Sequence, residues 1–575
     1  MQAAVGMQIG RAGLGAVCAG GTGAGGALPW RAAVAHKDPS SPGLRQTMSW
    51  LHTWCGLVCG WLLCAIFLTG TLSVFRGPIT RWMEAAPVTH EATRMLAPAE
   101  RWQALRVAQA HLVQHAPDGG LWRISLPFSG AEPLQVFFRA GDAERLVTLH
   151  PVTGEVVADA HHRSTEGGRH FMSFHYSLQG GMAGFWVVGL VSMCMLVALV
   201  SGVIVHRRIF QDFFTFRPGK GQRSWLDAHN ASAVLTLPFL FMIVYTGLAH
   251  FYTSYMPWPL DSVYGQDKAA YSRYQAELNA APGTQPVGDD VAAAGRDLVG
   301  LVQHAQQWLR EPVAGVVVQR PEQGAAIVRV TARSPDTGEC RRMLNSSESM
   351  TLDAVTGRVL QAPHGEATGS VASQVHPVIS ALHLVTYGGW TAKWLYFVCG
   401  LIGTAMVATG LLLFSIKRRT RSGQEWGAAT PQMYRCIDAL NVAALAGTAL
   451  ASIGYLYGNR LLPQNLEARS AWEIRVFFAL WAVSLLHALL RAPHQAWREQ
   501  LWAVAFLCLA LPCLNIATTG QHLGQYLAHG DGQRAGVELT CAAMGLLAGW
   551  AARRHAQSGR KTARPSRRAL PGDTP

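Results

Sequence analysis

Eight long apolar stretches constrain what this chain can fold into more than any other feature of its sequence. A helix needs about 20 consecutive apolar residues to cross the hydrocarbon core of a bilayer, and each stretch is close to that length. They lie near residues 50–75, 183–205, 227–250, 391–416, 436–457, 474–491, 500–517 and 536–552. The sequence therefore predicts a mainly α, polytopic membrane protein with about eight transmembrane helices.

The charge distribution supports this fold class and orients it. Only 14% of the 575 residues are charged, against about 25% in typical soluble domains. The formal net charge of +14 would favour nucleic acid as the partner of a soluble protein, but here most basic clusters border apolar stretches. Basic runs follow the second, fourth, sixth and eighth stretches, so the positive-inside rule predicts both termini in the cytoplasm. We expect contact with membrane lipid and none with nucleic acid.

Two polar inserts, about 76–170 and 251–375, then face outward. Each begins with a helical pattern, continues with β-like runs and ends in a Val-Thr-Gly turn before a short strand. These endings read HPVTGEVV at 150–157 and DAVTGRVL at 353–360. The sequence predicts two small α+β domains outside the membrane, one in each insert.

The N-terminal residues carry little structural information. Their Gly-x-Gly-x-x-Gly match has no preceding strand pattern, so we interpret residues 1–47 as a low-complexity extension. Because Met48 opens the first apolar helix directly, we expect translation to start there, which N-terminal sequencing of the native protein tests.

The predicted segments follow from these boundaries. They are the extension 1–47, transmembrane segment 48–75, insert domain 76–170, segment 171–206, cytoplasmic basic loop 207–226, segment 227–250, insert domain 251–375, segment 376–416, cytoplasmic loop 417–435, a four-helix membrane region 436–552 and a cytoplasmic basic tail 553–575.

The sequence contains an internal duplication. HYSLQGGMAGFW aligns with HLVTYGGWTAKW, which pairs His175 with His383 and the double glycine Gly180–Gly181 with Gly388–Gly389. Carried forward, the same offset pairs Ser201–Gly202 with Thr409–Gly410. The second and fourth apolar segments are therefore repeat equivalents.

The first and third segments align as well. His52 precedes Thr69–Gly70 by 17 residues, and His229 precedes Thr246–Gly247 by 17 residues. The chain thus repeats a helix–domain–helix unit twice in one orientation, and such parallel repeats are commonly related by an axis along the membrane normal.

The duplication predicts two histidine pairs at two depths. His52 can face His229 near the cytoplasmic side, and His175 can face His383 near the outer side. Two imidazoles converging across a helix bundle suit axial ligation of haem iron, and the double glycines would make room for a flat macrocycle. The eleven cysteines include no Cys-x-x-Cys-His motif, which excludes the usual attachment of c-type haem.

Other interpretations of these histidines remain open. Any one of them can be merely interfacial, or a proton relay, although the four core helices carry almost no carboxylate apart from Asp227. Four further histidines lack the full repeat match and are alternate ligands: His206, His250, His376 and His170.

Six motifs give the chain a family resemblance over about residues 48–420. They are WLHTWCGL (50–57), HPVTGEVV (150–157), FHYSLQGG (174–181), LDAHN (226–230), DAVTGRVL (353–360) and LHLVTYGG (382–389). In this order they resemble the PepSY-associated transmembrane family of bacterial inner-membrane proteins, which includes iron-regulated proteins and di-haem ferric-siderophore reductases.

The resemblance implies an activity. By position, the family's haem ligands fall on His52, His175, His229 and His383, with His206 and His250 as alternates. It implies two b-type haems, PepSY-type inserts, and an oxidoreductase that reduces ferric siderophores in the periplasm for iron uptake, with no catalytic residue beyond the haem ligands. The electron donor would be a quinol or a cytoplasmic reductant. Alternative functions are a non-enzymatic PepSY-type sensor or modulatory protein, and a transporter of iron-siderophore or another solute.

Overall fold

The computed structural model describes residues 43–89, 94–117, 119–130, 132–140, 143–157, 163–206, 221–267, 270–271, 273–274, 297–319, 326–333, 348–361, 371–421 and 429–562. Most of the N-terminal extension, the basic loop over 207–220, the loop 422–428 and the tail beyond residue 562 lie outside the described residues.

Helices make up most of the described chain. In chain order they are α1 (Leu44–Ser73), α2 (Arg76–Glu84), α3 (Pro98–His115), α4 (Arg169–Ser177), α5 (Gly181–Val205), α6 (Gln222–His250), α7 (Tyr252–Tyr255), α8 (Trp258–Tyr264), α9 (Leu298–Trp308), α10 (Val371–Leu384), α11 (Gly389–Arg421), α12 (Thr430–Val442), α13 (Thr448–Leu461), α14 (Arg469–Leu490), α15 (Pro493–Thr519), α16 (Leu523–Ala528) and α17 (Gly532–Thr562). One π-helical turn, Ala443–Gly447, joins α12 to α13.

The predicted polytopic architecture is confirmed. Among the described residues, eight helical spans are long and apolar enough to cross a membrane: α1, α5, α6, α11, the continuous α12–α13 span, α14, α15 and α17. Each coincides with one of the eight apolar stretches. We call the membrane side at which α1 and α6 end and the two inserts begin the insert side, and the other the opposite side.

One antiparallel sheet combines strands from both inserts. The strands are β1 (Leu121–Ser125), β2 (Leu134–Ala140), β3 (Ala143–Leu149), β4 (Val313–Gln319), β5 (Ile327–Ala332), β6 (Glu348–Asp353) and β7 (Val359–Gln361). Their order is β3-β2-β1-β4-β5-β6-β7.

The two inserts join at β1 and β4, where Ile124 lies opposite Val316. Each of these strands would otherwise be an exposed edge with unpaired backbone groups, and pairing removes both edges. Helices α3 and α9 pack on the same sheet and share one buried apolar core with it. Each insert thus supplies one helix and a set of strands, and the strands of both form one continuous sheet.

The two Val-Thr-Gly turns end differently. Gly154 and Gly357 both have positive φ, at 76° and 69°, which favours glycine over other residues. After Gly357 the chain forms β7 against β6. After Gly154 it makes only an isolated bridge between Leu149 and Val156.

The helix that enters the membrane is interrupted at the same place in both repeats. Leu178 and Gln179 have positive φ between α4 and α5, as Val385 has between α10 and α11. Because the backbone turns there, each insert-side histidine lies on a short helix of its own, ahead of the long membrane-spanning helix.

Candidate functional site

The sequence predicted two histidine pairs, and the structure brings both together. On the opposite side, the ring centres of His52 and His229 are 6.3 Å apart, with an angle of 68° between the ring planes. On the insert side, those of His175 and His383 are 6.0 Å apart at 25°. In each pair one imidazole comes from each repeat.

A backbone carbonyl orients each of the four imidazoles. The Nδ1 atoms lie 2.8 Å from the oxygen of Ala198 for His52, 2.8 Å from Ile66 for His175, 2.9 Å from Met406 for His229 and 3.0 Å from Ile243 for His383. A carbonyl can only accept, so Nδ1 carries the proton in all four rings and Nε2 keeps its lone pair.

The Nε2 atoms of these four rings are available to bind a ligand. None of the four has a hydrogen-bond partner in the part of the chain that the structure describes. A histidine that binds a metal commonly donates its other ring N–H to a carbonyl or carboxylate, which fixes the tautomer and the ring orientation. These four side chains have that arrangement.

A hydroxyl group shares its hydrogen bond between each of these carbonyls and the carbonyl one residue earlier, which is the nearer acceptor for Thr69, Thr246 and Ser201. Thr69 donates to the carbonyl of Ile66 (3.2 Å), and Thr246 to that of Ile243 (3.2 Å). In the other two helices Ser201 donates to Ala198 (3.1 Å) and Thr409 to Met406 (2.9 Å). We call each set of carbonyl, hydroxyl residue and following glycine a cradle.

The glycine of each cradle allows the imidazole to approach the helix. A Cβ atom at Gly70 would lie 2.5 Å from Nδ1 of His175, and one at Gly247 would lie 2.7 Å from Cε1 of His383. At Gly202 and Gly410 the nearest atom, Cε1 of His52 and of His229, would be 3.1 Å away. Side chains at these four positions would displace the rings, most strongly on the insert side.

The cradles connect the two long helices of each repeat. In the first repeat, α5 holds His52 of α1, while α1 holds His175, which precedes α5. In the second repeat, α11 holds His229 of α6, while α6 holds His383, which precedes α11. Sequence comparison had used the Ser/Thr-Gly dipeptides only as alignment markers; their fixed spacing from the histidines was the available signal for this role.

A cavity of about 640 Å³ opens at the opposite-side pair. Its wall includes His52, His229 and the cradle glycines Gly202 and Gly410. The volume lies within the about 300–1,000 Å³ typical of small-molecule and cofactor sites. The pair therefore borders a space large enough for an organic cofactor.

The alternate histidines surround the pairs, with one exception. His206 lies on the wall of the same cavity, with Nε2 3.2 Å from Nδ2 of Asn230. His250 stacks 6.4 Å from His383, and His376 stacks 5.9 Å from His250. His206 therefore lies next to the opposite-side pair, and His250 and His376 lie next to the insert-side pair.

His170 lies elsewhere. Its ring is fully buried against Tyr455 of α13 and Phe477 of α14, and Gln179 contacts its Nδ1 at 3.0 Å. It belongs to the contact between α4 and the C-terminal helices.

The double glycines shape the backbone. Gly181, Gly388 and Gly389 have positive φ, which forms the turns between the short and the long helices. A Cβ atom at Gly388 would meet Ala392, while one at Gly181 would enter open space. The proposed room for a macrocycle at these glycines stays a prediction.

The donor set fits haem. With metal–imidazole bonds of about 2 Å and about 1 Å from each nitrogen to its ring centre, two imidazoles on opposite sides of one metal have centres about 6 Å apart. The observed 6.3 Å and 6.0 Å agree with that spacing. Among the described residues, no cluster of three or more His, Cys, Asp or Glu side chains is arranged to hold a bare metal ion. Two imidazoles suffice for iron whose other ligands come from a porphyrin.

Comparison with known proteins places this arrangement in context. A family model described as "PepSY-associated TM region" matches residues 49–418, which include all four paired histidines. An uncharacterised protein of Pseudomonas aeruginosa is 27% identical over 418 residues, which cover 70% of this chain and 98% of that protein.

Proposed function

The chain belongs to the PepSY-associated transmembrane family, and on that premise we propose that it conducts electrons through two b-type haems and reduces ferric siderophores. The haems would be held by His52 with His229 and by His175 with His383. We place the protein in a bacterial inner membrane with both termini in the cytoplasm, so that the insert side faces the periplasm. Reduction there would release Fe(II) for uptake.

The observation that carries this proposal is the fourfold repetition of the cradles. An interfacial histidine needs no fixed tautomer, whereas each of these four donates from Nδ1 to a repeat-equivalent carbonyl and keeps Nε2 free. Repetition of the same local chemistry at both depths favours metal ligation over a chance placement.

The two pairs are separated along the membrane normal. His52 and the carbonyl of Ile66 that holds His175 are 14 residues apart on α1, which corresponds to about 21 Å along a helix axis. Cofactors at these two depths would allow electrons to pass between them over a distance shorter than the roughly 30 Å hydrocarbon core.

The protein's own residues would hold the two haems and shield them from water. Each cradle fixes the ring that ligates the iron, and the apolar side chains of α1, α5, α6 and α11 surround the sites. Bound haem would supply one-electron transfer. Reduction weakens a siderophore complex because hard oxygen donors favour Fe(III) over the softer Fe(II). No acid–base or nucleophilic side chain is required.

Haem content tests the proposal. A pyridine haemochrome assay of the purified protein should give two b-type haems per chain, about one in His175→Ala or His229→Ala, and none in the double variant. His115→Ala removes an exposed imidazole on α3 and serves as the control.

A colourless wild-type protein would exclude the conduit and favour a PepSY-type modulatory role or a transporter. If haem is present, trapping of Fe(II) by a chromogenic chelator should show reduction of a ferric siderophore by the pre-reduced protein. An Fe(III) complex that remains intact would restrict the proposal to electron transfer with another acceptor.

A further inference from the structure

A second and larger cavity lies between the duplicated core and the C-terminal helices. Its volume is about 870 Å³. The walls come from α1, α2 and α11 on one side and from α13, α15 and α17 on the other. Along α17 the lining runs from Gly532 to Ala548, about 24 Å at 1.5 Å per residue. A cavity this long within membrane-spanning helices suits a ligand with an extended apolar tail.

The end of this cavity on the insert side is polar. Nε of Arg81 lies 3.2 Å from Oδ2 of Asp531, and Glu132 and Gln533 also line the wall. Ser129 is only 6% exposed, and its hydroxyl has no hydrogen-bond partner among the described residues. Arg534 also pairs with Asp531 (3.3 Å) and Arg333 with Glu132 (3.8 Å), so the carboxylates at this end are already matched by arginines. An end with its charges paired in this way suits a neutral head group that donates and accepts hydrogen bonds.

Aromatic side chains line the wall next to this polar end. Phe75 stacks on Trp390 with ring centres 6.3 Å apart and planes at 15°, and it contacts Trp394 at 4.8 Å. Such surfaces favour a planar ring in the ligand.

The helices α1 and α4 border both this cavity and the insert-side histidine pair. Leu68 and Leu72 of α1 line it and flank the cradle formed at Thr69–Gly70. Phe171 also lines it, one helical turn before His175 on α4. A redox-active ring in this cavity would therefore be separated from the site proposed for the outer haem by residues of α1 and α4.

From these four observations we infer that the cavity between the duplicated core and the C-terminal helices binds an isoprenoid quinol as the electron donor. The tail occupies the apolar length and the ring lies between Phe75, Trp390 and the polar end. The inference rests on the proposed function for the fate of the electrons, but the binding site itself does not.

A quinol gives up two electrons whereas each Fe(III) chelate accepts one, so the two proposed haem sites would have different roles. Oxidation of one quinol to the quinone releases two electrons and two protons. Haem held at the two histidine pairs would accept one electron each, and the two protons would pass to water at the polar end, where Glu132 is a partly exposed carboxylate. Each Fe(III) chelate accepts one electron, so a haem held by His52 and His229 would keep the second electron until the next chelate arrives. Two electrons from one donor thus reduce two chelates.

Quinone binding tests this inference without reference to activity. The full-length protein is incubated with decylubiquinone, separated from free quinone by gel filtration, and extracted for quantification. We expect about one quinone per chain, and Gly536→Leu should weaken binding by about tenfold or more. Gly536 lines the cavity and a Cβ atom there would meet no atom within 4 Å, so the substitution fills space without a clash at its first atom.

Leu546→Phe adds bulk to an exposed position of the same helix and should leave binding unchanged. Decylubiquinol should also reduce the haem absorbance of the wild-type protein and of Leu546→Phe, but about tenfold more slowly in Gly536→Leu. Recovery of phospholipid alone, or equal quinone binding by both variants, would overturn the inference and leave the haem conduit intact. A haem-free protein that still binds quinone at this site would retain the inference about binding and refute the conduit.

Discussion

Each paired imidazole donates from Nδ1 to a backbone carbonyl, which also accepts from a Ser or Thr hydroxyl three residues later in the same helix. That carbonyl also belongs to the backbone hydrogen-bond ladder of its helix. The bonds from the hydroxyl and the imidazole therefore add to the ladder at one defined place on each helix. Oγ1 of Thr246 lies 3.3 Å from Nδ1 of His383 and that of Thr409 lies 3.4 Å from Nδ1 of His229. The second repeat therefore brings its hydroxyls close to the rings as well as to the carbonyls.

The cradle glycines yield a prediction with an internal control. Gly70→Ala places a methyl group 2.5 Å from Nδ1 of His175, so the ring must move and the insert-side haem should be lost or shifted in its absorption spectrum. Gly56→Ala on the same helix meets no atom within 4 Å and should retain both haems. Its helix should be as stable or up to about 1 kcal/mol more stable.

Gly202→Ala should have a smaller effect than Gly70→Ala, because its methyl group would be 3.1 Å from the His52 ring. Identical spectra and identical thermal unfolding for Gly70→Ala and Gly56→Ala would contradict this account of the cradle.

At the scale of elements, α3 begins with a charged cap. Oε2 of Glu100 accepts the backbone N–H of Ala97 at 2.7 Å, and both carboxylate oxygens accept from Arg94 at 3.0 and 2.8 Å. These bonds lower the pKa of Glu100 to about 2, from an ordinary value of 4.5. Because the folded pKa is the lower one, the cap stabilises α3 fully above pH 4.5 and is lost as the pH falls toward 2.

Hydrogen exchange of the α3 amides measures this dependence. Protection, corrected for intrinsic exchange, should decrease between pH 5 and pH 3 in the wild-type protein and much less in Glu100→Gln, which cannot titrate. Equal pH dependence in the two proteins would assign the effect to other carboxyl groups.

The C-terminal helices are joined to the duplicated core by a buried polar network. Arg469 and Glu473 of α14 are paired at 2.6 Å with both side chains almost fully buried. Glu473 also accepts from Asn459 at 2.7 Å and from Thr165 at 2.6 Å, in the segment that leads into α4. The network therefore couples α14 to the helix that carries His175.

Removal of one partner should be costly. Glu473→Ala leaves the Arg469 guanidinium buried without its carboxylate, which destabilises proteins by about 3–5 kcal/mol. Thermal unfolding in detergent should show a large decrease in midpoint. Glu144→Ala, which removes an exposed partner of Arg139, should change it little. Equal midpoints for the two variants would show that the buried pair does not hold α14 in place.

At the scale of the whole molecule, the two repeats meet both within the membrane, where the histidine pairs lie among the apolar contacts between their helices, and outside it, at the β1–β4 junction. Arg123 of β1 lies directly opposite Val317 of β4. A single sheet across both inserts keeps the two halves of the molecule in register above the sites.

A disulfide tests this junction. Arg123→Cys with Val317→Cys places two cysteines on directly opposed positions, where Cβ atoms are about 5 Å apart, so mild oxidation should cross-link them. Arg123→Cys with Arg329→Cys spans two strand spacings, about 10 Å, and should not form a bond. Mass spectrometry of linked tryptic peptides distinguishes the two; a cross-link only in the second variant would contradict the strand order.

Much of the architecture follows from local patterns in the sequence. Apolar length alone predicted all eight spans, because a helix in a bilayer must satisfy its backbone internally over a fixed thickness. The β-like runs LQVFFRA and AIVRVTA of the two inserts correspond to β2 and β5, whereas LWRIS in β1 and ESMTLD in β6 are short, mixed in character and gave no such signal.

The internal repeat predicted more about the candidate site than any single motif did. It selected His52, His175, His229 and His383 among 22 histidines, and in the structure the ring centres of the predicted partners lie 6.3 Å and 6.0 Å apart. Equivalent residues of two parallel repeats can face each other across the axis that relates the repeats. The repeat therefore predicts contacts between residues far apart in the chain, which hydropathy does not.

Other features were decided only by the tertiary structure. Which carbonyl meets each Nδ1, the continuity of the sheet through Ile124 and Val316, the burial of His170, and the cavity beside α17 all depend on how separate helices and strands approach one another. The sequence by itself determined the spans and the pairing of the histidines, because apolar length and duplication are written along the chain. The cradles and cavities arise between segments far apart in the chain, and only their packing creates them.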